Sequence, residues 1–187
     1  MRVLTAEEEK LYLLAASQPL RDIATTMLET GMRPEEVCRI RRENVHLKQG
    51  YVFNPFGKTK AARRKVPLTE RATAVRLRRL EKFKGEFLFP GRGTDQPVIK
   101  VNRAHAGTLG RINRIRAEAN ESPIPRFRLY DLRHTWATRA AMAGIDLVTL
   151  AAMLGHSRIQ MVLHYAHPTE EHQFAAMKKL EAFRMAK

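Results

Sequence analysis

The chain has 187 residues, 44% of them hydrophobic, which is the size of one ordinary domain able to bury its own core. Its 34 Lys and Arg outnumber 19 Asp and Glu, giving a formal charge of +15 that points to a polyanionic partner without choosing among DNA, RNA and an anionic membrane. The single cysteine, Cys38, excludes an intrachain disulfide and a cysteine-based zinc cluster, and no apolar run nears the ~20 residues that span a bilayer, so a reducing cytoplasmic location is expected.

Thr5 followed by Glu8 reads as a capping box, with Leu11, Leu14 and Ala15 at helical spacing behind it. A second helix runs from Leu20 through Ile23, Met27 and Leu28 to Gly31, and Pro34 suits the first turn of a short third one carrying Val37 and Ile40. Between Asn44 and Leu68 the pattern shortens to stretches such as Tyr51-Val52-Phe53 and Lys65-Val66-Pro67-Leu68, punctuated by Gly50, Pro55 and Gly57, which is strand territory. The remainder is helical again: Thr69 to Lys82, Val101 to Ala119, Tyr130 to Ala143, Asp146 to Leu154, Arg158 to His164 and Thr169 to Met185. The expected fold class is mainly α with a small three-stranded antiparallel β-sheet (α+β), in a single domain over residues 1–187.

Four segments stand out in chain order. The first is Thr30-Gly31-Met32-Arg33-Pro34-Glu35-Glu36-Val37. The second, Gly57 to Leu68, carries Lys58, Lys60, Arg63, Arg64 and Lys65. The third is Arg128-Leu129-Tyr130-Asp131-Leu132-Arg133-His134-Thr135, and the fourth is Leu154-Gly155-His156-Ser157 with Tyr165 following. Each is weak alone. In this order, over nearly the whole chain, they resemble the catalytic domain of the tyrosine recombinases, the phage-integrase family of DNA breaking and rejoining enzymes.

The resemblance implies a site and a reaction. Tyr165 would be the nucleophile, attacking a DNA phosphodiester to leave a 3′-phosphotyrosyl bond and a free 5′ hydroxyl, with no metal, ATP or other cofactor. Arg33 and Arg133 would neutralise the phosphate, since a guanidinium stays charged and can donate two parallel hydrogen bonds to phosphate oxygens. His156 would add a third donor, Glu36 takes the family's supporting acidic position, and Lys58 would protonate the leaving 5′ oxygen, with Lys60 as the alternative. A free phenol has a pKa of about 10, so the nucleophile needs a base or a strongly positive site. Tyr130, a further catalytic candidate, departs from the pattern, standing where the family usually has a histidine: a phenol can hold a hydrogen bond to phosphate or nucleophile but cannot replace an imidazole as base near neutral pH.

Blander readings compete. His156 and Tyr165 could be ordinary structural residues; His134 reads as structural rather than as a proton carrier, and Trp136 as core. His164 and His167 flank Tyr165, but no carboxylate stands at a familiar ligand spacing, so no metal is expected. Lys60, Arg63 and Arg64 could form a solvated face, but beside Lys58 they read as contacts to DNA phosphate. In the closing helix, over 169–187, Phe174, Met177, Leu180 and Phe183 make an apolar face that covers its own domain or, as the resemblance implies, docks on a neighbouring protomer.

The expected partner is double-stranded DNA, with a homo-oligomer on DNA, a monomer as an isolated piece, and no membrane; the family's amino-terminal DNA-clamping domain is absent from these residues. Two alternatives stay open: a type IB topoisomerase, which shares the chemistry, and a catalytically silent DNA-binding module of the same fold.

Overall fold

The computed structural model describes residues 1–57, 59–165 and 170–185, and for residues 171 and 172 the backbone alone. Three antiparallel strands, β1 (Val45–His46), β2 (Tyr51–Asn54) and β3 (Arg64–Pro67), form one sheet in the order β1-β2-β3, with Val52 opposite both Val45 and Val66. Around it stand α1 (Ala6–Ala15), α2 (Leu20–Thr30), α3 (Pro34–Cys38), α4 (Glu70–Lys82), α5 (Asn102–Glu118), α6 (Asp131–Met142), α7 (Leu147–Leu154) and α8 (Glu170–Met185). The mainly helical fold class with a small sheet is the one expected. No described helix is long and apolar enough to cross a membrane.

Local chemistry sets most element ends. Thr5 caps α1, its hydroxyl accepting from the Glu8 amide while the Glu8 carboxylate accepts from the Thr5 amide, which satisfies two otherwise unpaired donors. Thr69 and Asp146 cap α4 and α7 with one bond each, their side chains accepting from the Ala72 and Thr149 amides.

The central helix is α2, almost wholly enclosed although it carries three threonines. The Thr26 and Thr30 hydroxyls donate to the carbonyls four residues back, at 2.8 and 2.5 Å, so neither is left without a partner. Tyr12, Leu20, Ile23, Met27, Met32 and Leu132 fill the main core around it. A second, smaller cluster gathers Ala137 and Ala140 of α6, Leu150 and Leu154 of α7, and Val162 and Tyr165. Both faces of α6 are therefore used, one in each cluster.

The stretch from Arg158 to His164 is not one α-helix. It forms two short 3₁₀ turns, Ile159–Met161 and Leu163–Tyr165. Val162, between the two turns, and Tyr165, at the end of the second, are the buried side chains of this segment.

Gly31 ends α2 in the left-handed conformation, at φ 64°. It also lies against Trp136 of α6: a Cβ there would stand 2.3 Å from the indole Cε3. Backbone strain and a clash with a large ring thus coincide at the junction of α2 and α6. Gly31→Ala should destabilise the fold by about 2–5 kcal/mol, read as a lower urea midpoint at unchanged slope. A loss under 1 kcal/mol would show that the Trp136 ring yields easily.

Candidate active site

The site begins at a buried carboxylate. Arg33 precedes α3 and Pro34 opens it, so Glu36 falls one turn later and reaches back to accept from the Arg33 amide at 2.9 Å. The Arg33 guanidinium donates to the same carboxylate, also at 2.9 Å. From β3, Arg64 donates to Glu36 through Nη1 and Nη2 at 3.2 and 3.1 Å, and from β2 the Asn54 amide adds a longer bond at 3.3 Å. Burial would raise the Glu36 pKa, but the hydrogen bonds and charge of Arg64, then of Arg33, bring it below the ordinary 4.5. For Arg33, burial works to lower the pKa and is outweighed by Glu36 and then by the phenol of Tyr130.

Arg64 corrects an expectation. Placed by its sequence on the DNA-facing basic run, it is buried, because strand alternation puts it on the same face as Val66. Its remaining donors go to the carbonyls of Ala62, at 3.0 Å, and Met153, at 2.7 Å, so it ties β3 to α7. Lys60 and Arg63 are exposed beside it. Lys58 lies outside the described residues, as does His167.

Arg133 occupies the first turn of α6 with 0% of its surface exposed. It donates to the carbonyls of Gly31 and Leu154, each at 2.8 Å, and to His156 Nε2 at 2.9 Å. A guanidinium only donates, so Nε2 is the acceptor and the neutral ring carries its hydrogen on Nδ1. That Nδ1 is buried and has no hydrogen-bond partner among the described residues. Burial, then the charges of Arg133, Arg33 and Arg64, push the His156 pKa down to about 4, so the ring is neutral near pH 7. An unpaired buried N–H is costly unless something fills it.

Arg33, Glu36, Gly155 and His156 line a cleft of about 520 Å³, together with Arg39, Phe56, Thr59 and Ser157. Arg133 lies behind His156, outside that lining. The expected two-arginine grip is therefore one arginine at the cleft and one enclosed.

Tyr165 is only 3% exposed. Its hydroxyl is 2.6 Å from His134 Nδ1, and its ring stands 4.1 Å from that of His164. Burial pushes its pKa up to about 12, against the opposing charge of Arg133 and with a further upward contribution from Tyr130. Tyr130, at the start of α6, lies with its ring 5.9 Å from the Arg133 guanidinium and 5.1 Å from the His134 ring. Arg33, Tyr130, Arg133, His156 and Tyr165 thus come together from four separate segments. Sequence reading missed two contributors, His134 and Asn54. For Asn54 a signal existed: it is a polar residue two positions after Val52, on the inward face of β2.

Glu36→Gln leaves the buried Arg64 and the half-buried Arg33 short of a counter-charge and should cost about 3–5 kcal/mol. In the wild type the folded Glu36 pKa lies below 4.5, so its contribution is complete above that value and fades as pH falls through the folded one. Urea unfolding between pH 3 and 7 should show this acid loss in the wild type and a smaller one in Glu36→Gln. Equal acid slopes would remove Glu36 from that role.

The model for the phage integrase family matches residues 2–172. The chain is 28% identical to the integrase of Salmonella phage P22 over 180 residues, covering 92% of this chain and 45% of that one. It is 33% identical over 211 aligned residues to the transposase from transposon Tn916 of Enterococcus faecalis, covering 95% of this chain and 51% of the other. A solved structure of the Tn1549 transposon integrase in complex with circular intermediate DNA matches with a TM-score of 0.77 at 25% identity, over 96% of this chain and 67% of that chain. The chain spans about half the length of the curated relatives it matches. A match over nearly all of the chain, by sequence and by fold, places this protein in the phage integrase family.

Proposed function

We propose that this chain carries out the strand-transfer step of site-specific DNA recombination, cleaving and rejoining DNA through a phosphotyrosyl bond at Tyr165. The observation that carries the reading is the cleft lined by Arg33 and His156, with Arg133 enclosed behind His156 and the buried Tyr165 hydroxyl close enough to Arg133 and Tyr130 to feel both. The likeness to integrases, one of them solved on DNA, and the net charge of +15 support double-stranded DNA as the substrate.

In this reading the phosphate enters the cleft lined by Arg33 and His156. Arg33 is already oriented by Glu36 and Tyr130, so its fork meets the non-bridging oxygens with little loss of side-chain freedom. The His156 Nδ1–H, which has no acceptor among the described residues, gains one in the phosphate. Arg133, enclosed in a medium of low dielectric, acts on the growing negative charge from behind His156.

Tyr165 Oη forms a bond to phosphorus as the bond to the 5′ oxygen breaks, and a lysine of the 58–60 segment, Lys58 or Lys60, protonates that oxygen. Religation by another 5′ hydroxyl reverses these events, so the phosphate bond energy is conserved and no ATP enters. Lys60 and Arg63 track the flanking backbone. The exposed apolar side chains Phe174, Met177 and Leu180 of α8 suit docking on a neighbouring protomer assembled on DNA.

Incubated with nicked suicide duplexes carrying candidate attachment sequences, the wild type should give a denaturation-resistant protein–DNA adduct, and Tyr165→Phe none. Arg33→Ala should slow adduct formation by about 100-fold or more. Of Lys58→Ala and Lys60→Ala, the variant lacking the acid should recover on a duplex whose leaving oxygen is replaced by sulfur, which departs without a proton. Tight binding with no adduct would instead mark a silent DNA-binding module, and supercoil relaxation without strand exchange a topoisomerase.

A further inference from the structure

The nucleophile's hydroxyl has a partner that lies outside the expected set. His134 Nδ1 stands 2.6 Å from Tyr165 Oη. His134 sits in the first turn of α6, next to Arg133 and four residues after Tyr130, so one turn of one helix carries the enclosed arginine, the phenol at 130 and this imidazole. The hydroxyl is near enough to Arg133 and Tyr130 for both to bear on its ionisation.

We propose that His134 is the catalytic residue that accepts the Tyr165 proton, supplying the base that the phenol at position 130 cannot be. The proposal rests on Tyr165 being the nucleophile. As the Oη–phosphorus bond forms, the hydroxyl proton moves to His134 Nδ1 and the ring becomes an imidazolium. The 5′ oxygen leaves and takes a proton from the lysine acid. In religation a 5′ hydroxyl attacks phosphorus, its proton returns to the lysine, the Oη–phosphorus bond breaks, and Oη recovers its proton from His134. Charge and protons balance with no co-reactant.

The surroundings keep the ring in the form this requires. Asp131 and Arg133 flank it on α6, Tyr130 stacks edge-on from the preceding turn, His164 and Tyr165 face it from the second 3₁₀ turn, and the Met1 amino group is close enough to act on it. Burial lowers the His134 pKa below 6.5; Asp131 opposes this, while His164, the amino terminus and Arg133 add to it. The ring is therefore neutral near pH 7 and protonates, losing its acceptor, only in acid. Neither Asp131 oxygen is free to take over, since one accepts from the Arg2 amide at 3.2 Å and the other from the Arg128 amide at 2.8 Å.

A purely orienting role would have Nδ1–H donate to the phenol instead, and asparagine separates the two cases. Its side-chain oxygen can occupy the Nδ1 position and hold the hydroxyl, but it cannot take a proton near neutrality. Single-turnover adduct formation would be followed from pH 5 to 8 for wild type and His134→Asn, with duplex binding measured in parallel. The expected outcome is a wild-type rate that falls as pH drops through an ionisation below 6.5, and a His134→Asn rate about 100-fold lower or less, without that acid limb, at unchanged binding. A sulfur leaving group should not restore it, because the defect lies at the nucleophile. Should His134→Asn melt early, His134→Ala with and without added imidazole tests the same point: recovery supports the proposal, and its failure at intact binding overturns it. A His134→Asn rate within threefold of wild type with the same acid limb, or rescue by the sulfur leaving group, overturns it while leaving the phosphotyrosyl reading in place. Absence of any wild-type adduct overturns that reading, and this one with it.

Discussion

A carboxylate can be buried only if its charge is answered on the spot, and the geometry around Glu36 follows from that requirement. Its oxygens accept from the Arg33 amide and guanidinium, from Arg64 and from Asn54, so α3, β2 and β3 converge on one side chain. Arg64 then reaches the Met153 carbonyl and fixes α7 relative to the sheet. Gly155 closes α7 where a Cβ would stand 2.8 Å from the Arg64 guanidinium, so His156 takes its place one residue beyond a contact too tight for any side chain. One acid therefore sets the orientation of Arg33 directly and the position of His156 at one remove.

Arg133 plays the complementary part from the helical side. Its fork links the end of α2, through the Gly31 carbonyl, to the end of α7, through that of Leu154. Helix C-termini leave carbonyls unpaired and carry partial negative charge, so a buried guanidinium between two of them is stabilised without a carboxylate partner. The third contact selects the His156 tautomer. Orientation of the imidazole is thus inherited from helix packing.

Much of this was legible in the sequence. Capping residues, Gly31, Pro34 and the alternation in β2 and β3 mark local events, and the structure places the elements within a residue or two of the positions they imply. The segments carrying Arg33, Arg133, His156 and Tyr165 do meet. What the sequence hid depends on partners far along the chain. Arg64 looks like one more surface cation in a basic run, and only its alternation with the inward Val66 indicates burial against an acid 28 positions earlier. His134 touches Tyr165 across 31 positions, and nothing local in its helix distinguishes an imidazole that packs from one that holds a proton. The stretch from Arg158 to His164 reads as one helix because a short apolar repeat suits both α and 3₁₀ winding, and the structure divides it into two 3₁₀ turns.

The second core cluster carries a consequence of its own. Tyr165 is one of seven buried side chains in it, and with Val162 it forms the part contributed by the 3₁₀ turns. On the proposed chemistry the reactive hydroxyl therefore sits in a small packed cluster, and the access of a phosphodiester to it depends on local loosening of that cluster rather than of the main core. Local opening of this kind is governed by its own free energy, separate from global stability. Idle reactivity and the cohesion of seven side chains then trade against each other. On that reading the protein holds Tyr165 in reserve by the same packing that completes its fold.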